Sequence, residues 1–144
     1  PTLELRLKAL VRRWAARLGI SDYTYVLEFR SEKTLHGNYA EVHTDEDTRE
    51  VTICVNRYRL TKEPEEVERT LIHELLHTRL NEYAEFVVAI INGYVGNPRT
   101  KRVLGRQFER LEHKIVVALT DALVDGNLTG RVEMWLPEAL VARL

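Results

Sequence analysis

The sequence predicts an α+β fold, because apolar residues recur with a helical period towards both ends of the chain and with a period of two between them. The helical pattern covers residues 3–18 and most of the chain after residue 63, whereas alternation is found within residues 23–55. With 144 residues, 44% of them hydrophobic, the chain is long enough for one sizeable core. No repeat or flexible linker interrupts it, so we expect a single domain over residues 1–144.

The first half of the chain predicts one helix and three strands. Residues 3–18 form an amphipathic pattern, with Thr2 as a suitable N-cap and Gly19 just past the end. Alternation from Tyr23 to His43 predicts a hairpin that turns at residues 36–38. A third strand at residues 51–55 is expected to pair antiparallel with the second, which gives a small three-stranded sheet, antiparallel or mixed.

The second half is helical in pattern. A helix is expected from about Pro64 to at least Arg79, because proline and several glutamates suit a first helical turn. Residues 82–95 are also helical, and Asn81 either caps a new helix or lies inside a long one. Another helix is expected to start at a Thr100 cap and to stop near Asp125. The tail has an apolar stretch at residues 132–136, followed by a proline that suits the start of a last helix.

Composition excludes several classes of protein. Lys+Arg 21 against Asp+Glu 22 leaves a net charge of -1, so no overall basic field favours nucleic acid. The longest apolar run, residues 86–91, is far shorter than the roughly 18 residues that span a bilayer, and the N-terminus has no signal-peptide pattern. We therefore expect a cytoplasmic protein with no membrane partner. Because Cys54 is the single cysteine, any metal must be held by histidine and carboxylate.

The residues that predict chemistry are His73-Glu74-Leu75-Leu76-His77, an HExxH sequence inside the predicted helix. Four residues advance a helix by about 400° and about 6 Å, so the two imidazoles project from one face and can share one Zn²⁺. Glu74 lies beside them and can act as general base towards a water at the metal. The helix is apolar around most of its circumference, and buried imidazoles and carboxylates need partners. A zinc ion supplies one for all three.

A catalytic zinc usually has three protein ligands, so a third is expected from elsewhere in the chain. Glu112 is the preferred candidate, because it lies within the predicted apolar stripe of the later helix, formed by Phe108, Leu111, Ile115, Leu119 and Leu123. His113 and Glu109 are alternatives. Glu82 and Glu85 are expected to face solvent.

On these motifs the chain resembles the zincin metallopeptidases, in particular the very small gluzincin-type domains of phage-related and prokaryotic proteins. The resemblance rests on residues 70–77 and, more loosely, on residues 111–119, where such proteins carry an inward glutamate as third ligand. It implies an N-terminal helix, a small twisted sheet, an active-site helix and C-terminal helices. It also implies that the strand at residues 51–55 lies near the cleft and binds an extended substrate by strand addition.

The resemblance is incomplete. Larger gluzincins support the first histidine with an acidic residue four positions after the third ligand, and Val116 stands there in this chain. Tyr83, Tyr94 and His113 are candidates for the residue that stabilises the tetrahedral intermediate. We expect one zinc ion, held by His73, His77 and Glu112, in a peptidase of restricted specificity whose substrate is a peptide or protein. The alternative is a zinc-stabilised interaction or regulatory module with little or no activity.

Overall fold

A computed structural model describes residues 2–126. This part of the chain is α+β, with four α-helices and one mixed sheet of three strands. In chain order the elements are α1 Leu3–Leu18, β1 Thr24–Arg30, β2 Ala40–Asp45, β3 Glu50–Asn56, α2 Arg57–Lys62, α3 Glu66–Tyr94 and α4 Pro98–Asp125. None of the helices within residues 2–126 has the length and apolar character needed to cross a bilayer.

The described part of the chain divides into two compact units, residues 2–81 and 82–126. The first unit holds the sheet, α1, α2 and the beginning of α3, and the second holds the end of α3 and α4. The expectation of a single domain over residues 1–144 stays a prediction.

The strand order is β1-β3-β2, so β3 lies in the middle of the sheet. It pairs antiparallel with β2, as the sequence predicted, and parallel with β1. The predicted hairpin between the first two strands is therefore wrong. The physical reason is burial, because Val51, Ile53 and Val55 are at most 1% exposed, and the most apolar strand gains most from having a neighbour on each side.

Strands β1 and β2 each pair with β3 along one edge, and the other edge of each strand is unpaired within the described residues. The Thr24 amide donates to the Arg49 carbonyl at 2.8 Å, so the backbone groups of residues 24, 26, 28 and 30 face β3 and those of Tyr25, Leu27 and Phe29 point outwards. On the other side, the Asn56 amide donates to the Tyr39 carbonyl at 2.8 Å. By alternation, the backbone groups of residues 40, 42 and 44 form the outer edge of β2.

Helices α1 and α3 cover the same face of the sheet. Thr44 lies opposite Val51 in the β2–β3 pair, so their side chains share a face, and the Thr44 hydroxyl donates to the Thr78 hydroxyl of α3 at 3.3 Å. The two helices are joined by the Trp14 indole, which donates to a Glu68 carboxylate oxygen at 2.7 Å. The core of the first unit thus lies between one sheet face and two helices.

Two helix starts in the first unit are capped by side chains. Thr2 accepts a hydrogen bond from the Leu5 amide at 3.3 Å, and Gly19 closes α1 with a φ of 69°, both as predicted. Helix α2 was not predicted. Its N-cap is the fully buried Asn56, whose side chain accepts from the Arg59 amide at 3.1 Å and donates to the Asn38 carbonyl at 3.2 Å.

Helix α3 is continuous, so Asn81 lies inside a long helix and caps nothing. In the second unit, the rings of Tyr83 and Phe108 lie 5.9 Å apart, and the Lys101 ammonium donates to the Asn92 carbonyl at 2.9 Å. Helix α4 begins earlier than predicted, because Asn97 caps it by accepting from two backbone amides. Its end at Asp125, with Gly126 as the C-cap, agrees with the prediction. The predicted apolar stretch at residues 132–136 and the last helix lie outside the described residues.

Candidate functional site

The two histidines of the predicted site face each other on α3. Their Nε2 atoms are 3.3 Å apart, and their ring centroids are 5.0 Å apart with the ring planes at 71°. Both residues are half-buried. The i, i+4 spacing on a regular helix therefore brings two imidazole nitrogens to one point at the surface of the first unit.

The separation of the two Nε2 atoms fits a zinc ion. With Zn–N distances of about 2.0 to 2.1 Å and tetrahedral angles, two ligand nitrogens lie about 3.3 Å apart. The observed distance of 3.3 Å equals this value. A hydrogen bond between the two rings accounts for the same distance without a metal, since one Nε2 can donate and the other accept. The distance is thus compatible with a bound ion and also with a direct hydrogen bond between the rings.

Glu74 is buried beside the histidines, with 8% of the residue exposed. Burial, and to a smaller extent the negative charge of Glu41 on β2, raises the pKa of Glu74 from 4.5 to about 7. A carboxyl group with this pKa can both accept and release a proton near neutral pH.

The segment is fixed by packing on the other sides of α3. Leu71, Ile72, Leu75 and Leu76 are each at most 4% exposed. The Thr78 hydroxyl donates to the Glu74 carbonyl at 3.5 Å and accepts from Thr44 on β2. The helix therefore has little freedom to rotate, and the orientation of the two imidazoles follows from the apolar residues around them.

A polar cluster ties the following turn of α3 to the loops of the first unit. Glu46 accepts hydrogen bonds from the Asn81 amide group at 2.8 Å, from the Tyr23 hydroxyl at 2.5 Å and from Arg49 at 3.0 Å. The guanidinium of Arg49 also lies 3.9 Å from the centre of the Tyr23 ring and pairs with Asp22. This cluster holds the end of β2 against α3, one turn beyond His77.

Glu41 and Glu46 were missed at the level of the sequence. Alternation along β2 could not show that the negative charge of Glu41 acts on Glu74 of α3. Their relation to the site depends on which helix covers β2, and this follows from tertiary packing.

The predicted third ligand lies on α4, in the second unit. Glu112 is half-buried, and His113 and Glu109 are exposed. The apolar stripe on which Glu112 was chosen is partly wrong, because Leu111 and Ile115 are 54% and 37% exposed. The buried residues of α4 are instead Val116, Thr120 and Ala122. Val116 lies one turn after Glu112, so Glu112 still shares a face with the best buried apolar residue of the helix.

The other candidates lie in the second unit as well. Glu82 and Glu85 are exposed, as expected. Tyr83 is 57% exposed and packs against Phe108, whereas Tyr94 is 87% exposed at the end of α3. Neither position by itself favours a role for these tyrosines in stabilising an intermediate.

Cys54, in the first unit, is a buried residue of β3. Its thiol pKa is raised, chiefly by burial.

The resemblance to a known class of proteins rests on the sequence of residues 70–77 and 111–119 alone. Comparison of the chain with protein-family models, with curated proteins and with solved structures gave no match.

Proposed function

We propose that this protein is a zinc-dependent metallopeptidase of restricted specificity. The observation that carries the proposal is the 3.3 Å separation of the His73 and His77 Nε2 atoms, which equals the distance between two nitrogens on one tetrahedral zinc ion. The buried carboxylate of Glu74 on the same turn of α3 supports a hydrolytic role. Zincin-like architecture is part of this proposal.

The third ligand we propose is Glu112, because a carboxylate oxygen is a common zinc ligand and this side chain shares a helix face with the buried Val116. Its half-buried position and the full burial of Val116 one turn later support the choice. His113 and Glu109 remain the alternatives and are separated by mutation, as described below.

An extended peptide is the substrate that the sheet favours. The expectation that the strand at residues 51–55 receives the substrate is wrong, because β3 is paired on both sides. The outer edge of β2 takes its place in the proposal. The backbone groups of Val42 and Thr44 point outwards there, and Thr44 is hydrogen-bonded to Thr78, next to His77.

The chemistry divides between the metal and the chain. A bound zinc would supply a Lewis acid that activates water and polarises the scissile carbonyl. His73 and His77 would hold it, and the apolar residues behind α3 keep both rings in place. The Glu74 carboxylate accepts a proton from the attacking water and returns it to the leaving amine nitrogen. Its burial excludes most of the water that would compete for that proton.

The test combines metal analysis with peptide cleavage on the full chain. Zinc content is measured after dialysis for wild type, His73→Ala, Glu112→Ala, His113→Ala and Glu109→Ala, and cleavage is measured on an unbiased peptide library. We expect stoichiometric zinc in wild type, loss of zinc in His73→Ala and Glu112→Ala, and retained zinc in the other two. Glu74→Gln should keep zinc and lose cleavage.

The outcomes separate the proposal from its alternatives. Full zinc occupancy in Glu112→Ala together with loss in His113→Ala would transfer the third ligand to His113. Stoichiometric zinc in a wild-type protein that cleaves no library peptide would favour a zinc-stabilised interaction module. Absence of zinc from wild type after incubation with the metal would refute both.

A further inference from the structure

A second concave surface lies in the first unit, between α1 and β1. This cleft has a volume of about 360 Å³, within the range of ligand pockets. It lies at the β1 edge of the sheet, whereas Thr78, next to His77 on α3, is hydrogen-bonded to β2 at the other edge. It therefore needs an explanation separate from the proposed zinc site.

The walls of the cleft are positively charged and its floor is apolar. Lys8 and Arg12, one helical turn apart on α1, are the charged residues that line it. Val11 and Ala15, which are 6% and 3% exposed, form the floor together with Leu27 of β1. No carboxylate lines the cleft within the described residues, so its charge favours an anionic group on the ligand.

Lys8 and Arg12 differ in whether another side chain already pairs with their charge. The ammonium of Lys8 is 2.7 Å from a Glu4 carboxylate oxygen, an exposed pair of the kind that contributes little and exchanges readily. The Arg12 side chain forms no ion pair or hydrogen bond with any residue between 2 and 126. A guanidinium can donate two parallel hydrogen bonds to one carboxylate, so Arg12 is the residue best suited to select a ligand with that group.

The cleft also borders a free strand edge. The side chains of Tyr25 and Leu27 line it, and the backbone groups of these same residues point away from β3. Within the described residues, no backbone group pairs with them. An extended peptide can therefore hydrogen-bond to β1 as an additional strand while its side chains reach the apolar floor.

We propose that the α1/β1 cleft is a second binding site, which takes an extended peptide segment carrying a carboxylate. The segment adds to the outer edge of β1, places alternate side chains on Val11 and Leu27, and sets its carboxylate against Arg12. Tyr25 keeps its hydroxyl bonded to the Ile20 carbonyl at 2.7 Å, so it acts as a wall and not as a ligand donor. The site does not depend on zinc or on peptidase activity.

Binding is measured with fluorescein-labelled hexapeptides of alternating valine and threonine. One ends in valine with a free carboxylate, a second in aspartate with an amidated terminus, and a third in asparagine with an amidated terminus. We expect at least one of the first two to bind about tenfold more tightly than the third, because a charge-assisted hydrogen bond to Arg12 is stronger than a neutral one. Which of them does so tells whether a chain terminus or an acidic side chain is recognised.

Arg12→Gln should abolish this preference, and the control Arg6→Gln, an exposed position on the same helix that does not line the cleft, should retain it. Strand addition is tested by two N-methylated isomers of the best peptide, methylated at alternate amide positions. One isomer should lose binding and the other keep it, because only one set of amides faces β1. The measurements are made with zinc and with a chelator, and binding should be equal in both.

Three results would overturn the proposal. The first is equal affinity for charged and amidated peptides. The second is equal loss with Arg12→Gln and Arg6→Gln. The third is a set of NMR amide shifts that follows Val42 and Thr44 on β2 and leaves Tyr25 and Leu27 unchanged. A peptide that binds β1 in a protein without zinc or activity would uphold this site and refute only the proposed function.

Discussion

Replacing Glu74 with glutamine should remove activity and, in the metal-free protein, increase stability. Burial raises the pKa of Glu74 from 4.5 to about 7 in the folded state, so the folded protein binds more protons than the unfolded chain between these pH values. Stability of the metal-free protein therefore falls as the pH rises through this window, and the full cost is present above pH 7. At 1.36 kcal/mol for each pH unit, the cost is about 3 kcal/mol.

The assay is urea unfolding in the presence of a chelator at pH 5 and pH 8.5. Glu74→Gln keeps the size of the side chain without the charge, so the free energy of unfolding should exceed that of wild type by about 2 to 3 kcal/mol at pH 8.5 and differ little at pH 5. The matched control is Glu109→Gln, an exposed carboxylate that should change stability by less than about 0.5 kcal/mol at either pH.

With zinc restored, the same variant should bind the metal normally and lose cleavage by about 10²- to 10⁴-fold, the usual contribution of a general base. A variant that is more stable and inactive would show that the Glu74 carboxylate contributes to catalysis and lowers the free energy of unfolding. Equal stability of wild type and Glu74→Gln at pH 8.5 would refute the account of its burial. Retained cleavage would refute its role as the base.

The remaining predictions concern buried contacts and helix caps. Asn56→Ala should lower the free energy of unfolding by about 2 to 4 kcal/mol, because it removes two hydrogen bonds of a buried side chain, one of them the cap of α2. Asn97→Ala, at the exposed cap of α4, should cost about 1 kcal/mol, and equal losses would contradict this difference in burial. Ile53→Ala, at a fully buried position of the central strand, should cost about 2 to 5 kcal/mol in urea unfolding, and a loss below 1 kcal/mol would argue against the central place of β3. Glu68→Ala should lower the free energy of unfolding, measured by thermal unfolding, by about 1 to 3 kcal/mol, because the buried Trp14 indole loses its hydrogen-bond acceptor. The Trp14 fluorescence should change as well, and an unchanged emission spectrum would contradict that contact.

The elements that the sequence predicted well are those whose signals are local. Thr2 and Gly19 bound α1 by their own cap geometry, and Gly126 ends α4 in the same way. The spacing of His73 and His77 also sufficed to place two nitrogens together, since only helical geometry was needed.

The strand order could not be predicted from local signals of this kind. Two strands that follow each other in sequence usually pair, and this expectation produced the hairpin. Here the connection between β1 and β2 does not turn tightly, because it carries the chain past the position of β3 to its other side. Leu35 of this connection is 1% exposed, so it packs inwards. Helix α2 was missed because its cap, Asn56, also fits the end of a strand. The face of α4 was partly misassigned because Leu111 and Ile115 are exposed although they fit an apolar stripe.

The central position of β3 also determines when the sheet can form as the chain emerges from the ribosome. Strands β1 and β2 do not pair with each other, so a nascent chain that ends before Glu50 contains two strands and no ladder between them. Both ladders become available only with the seven residues of β3, and the buried face that α3 covers is completed with them. The histidines follow within the next 21 residues, so the helix that carries them meets a sheet assembled immediately before it.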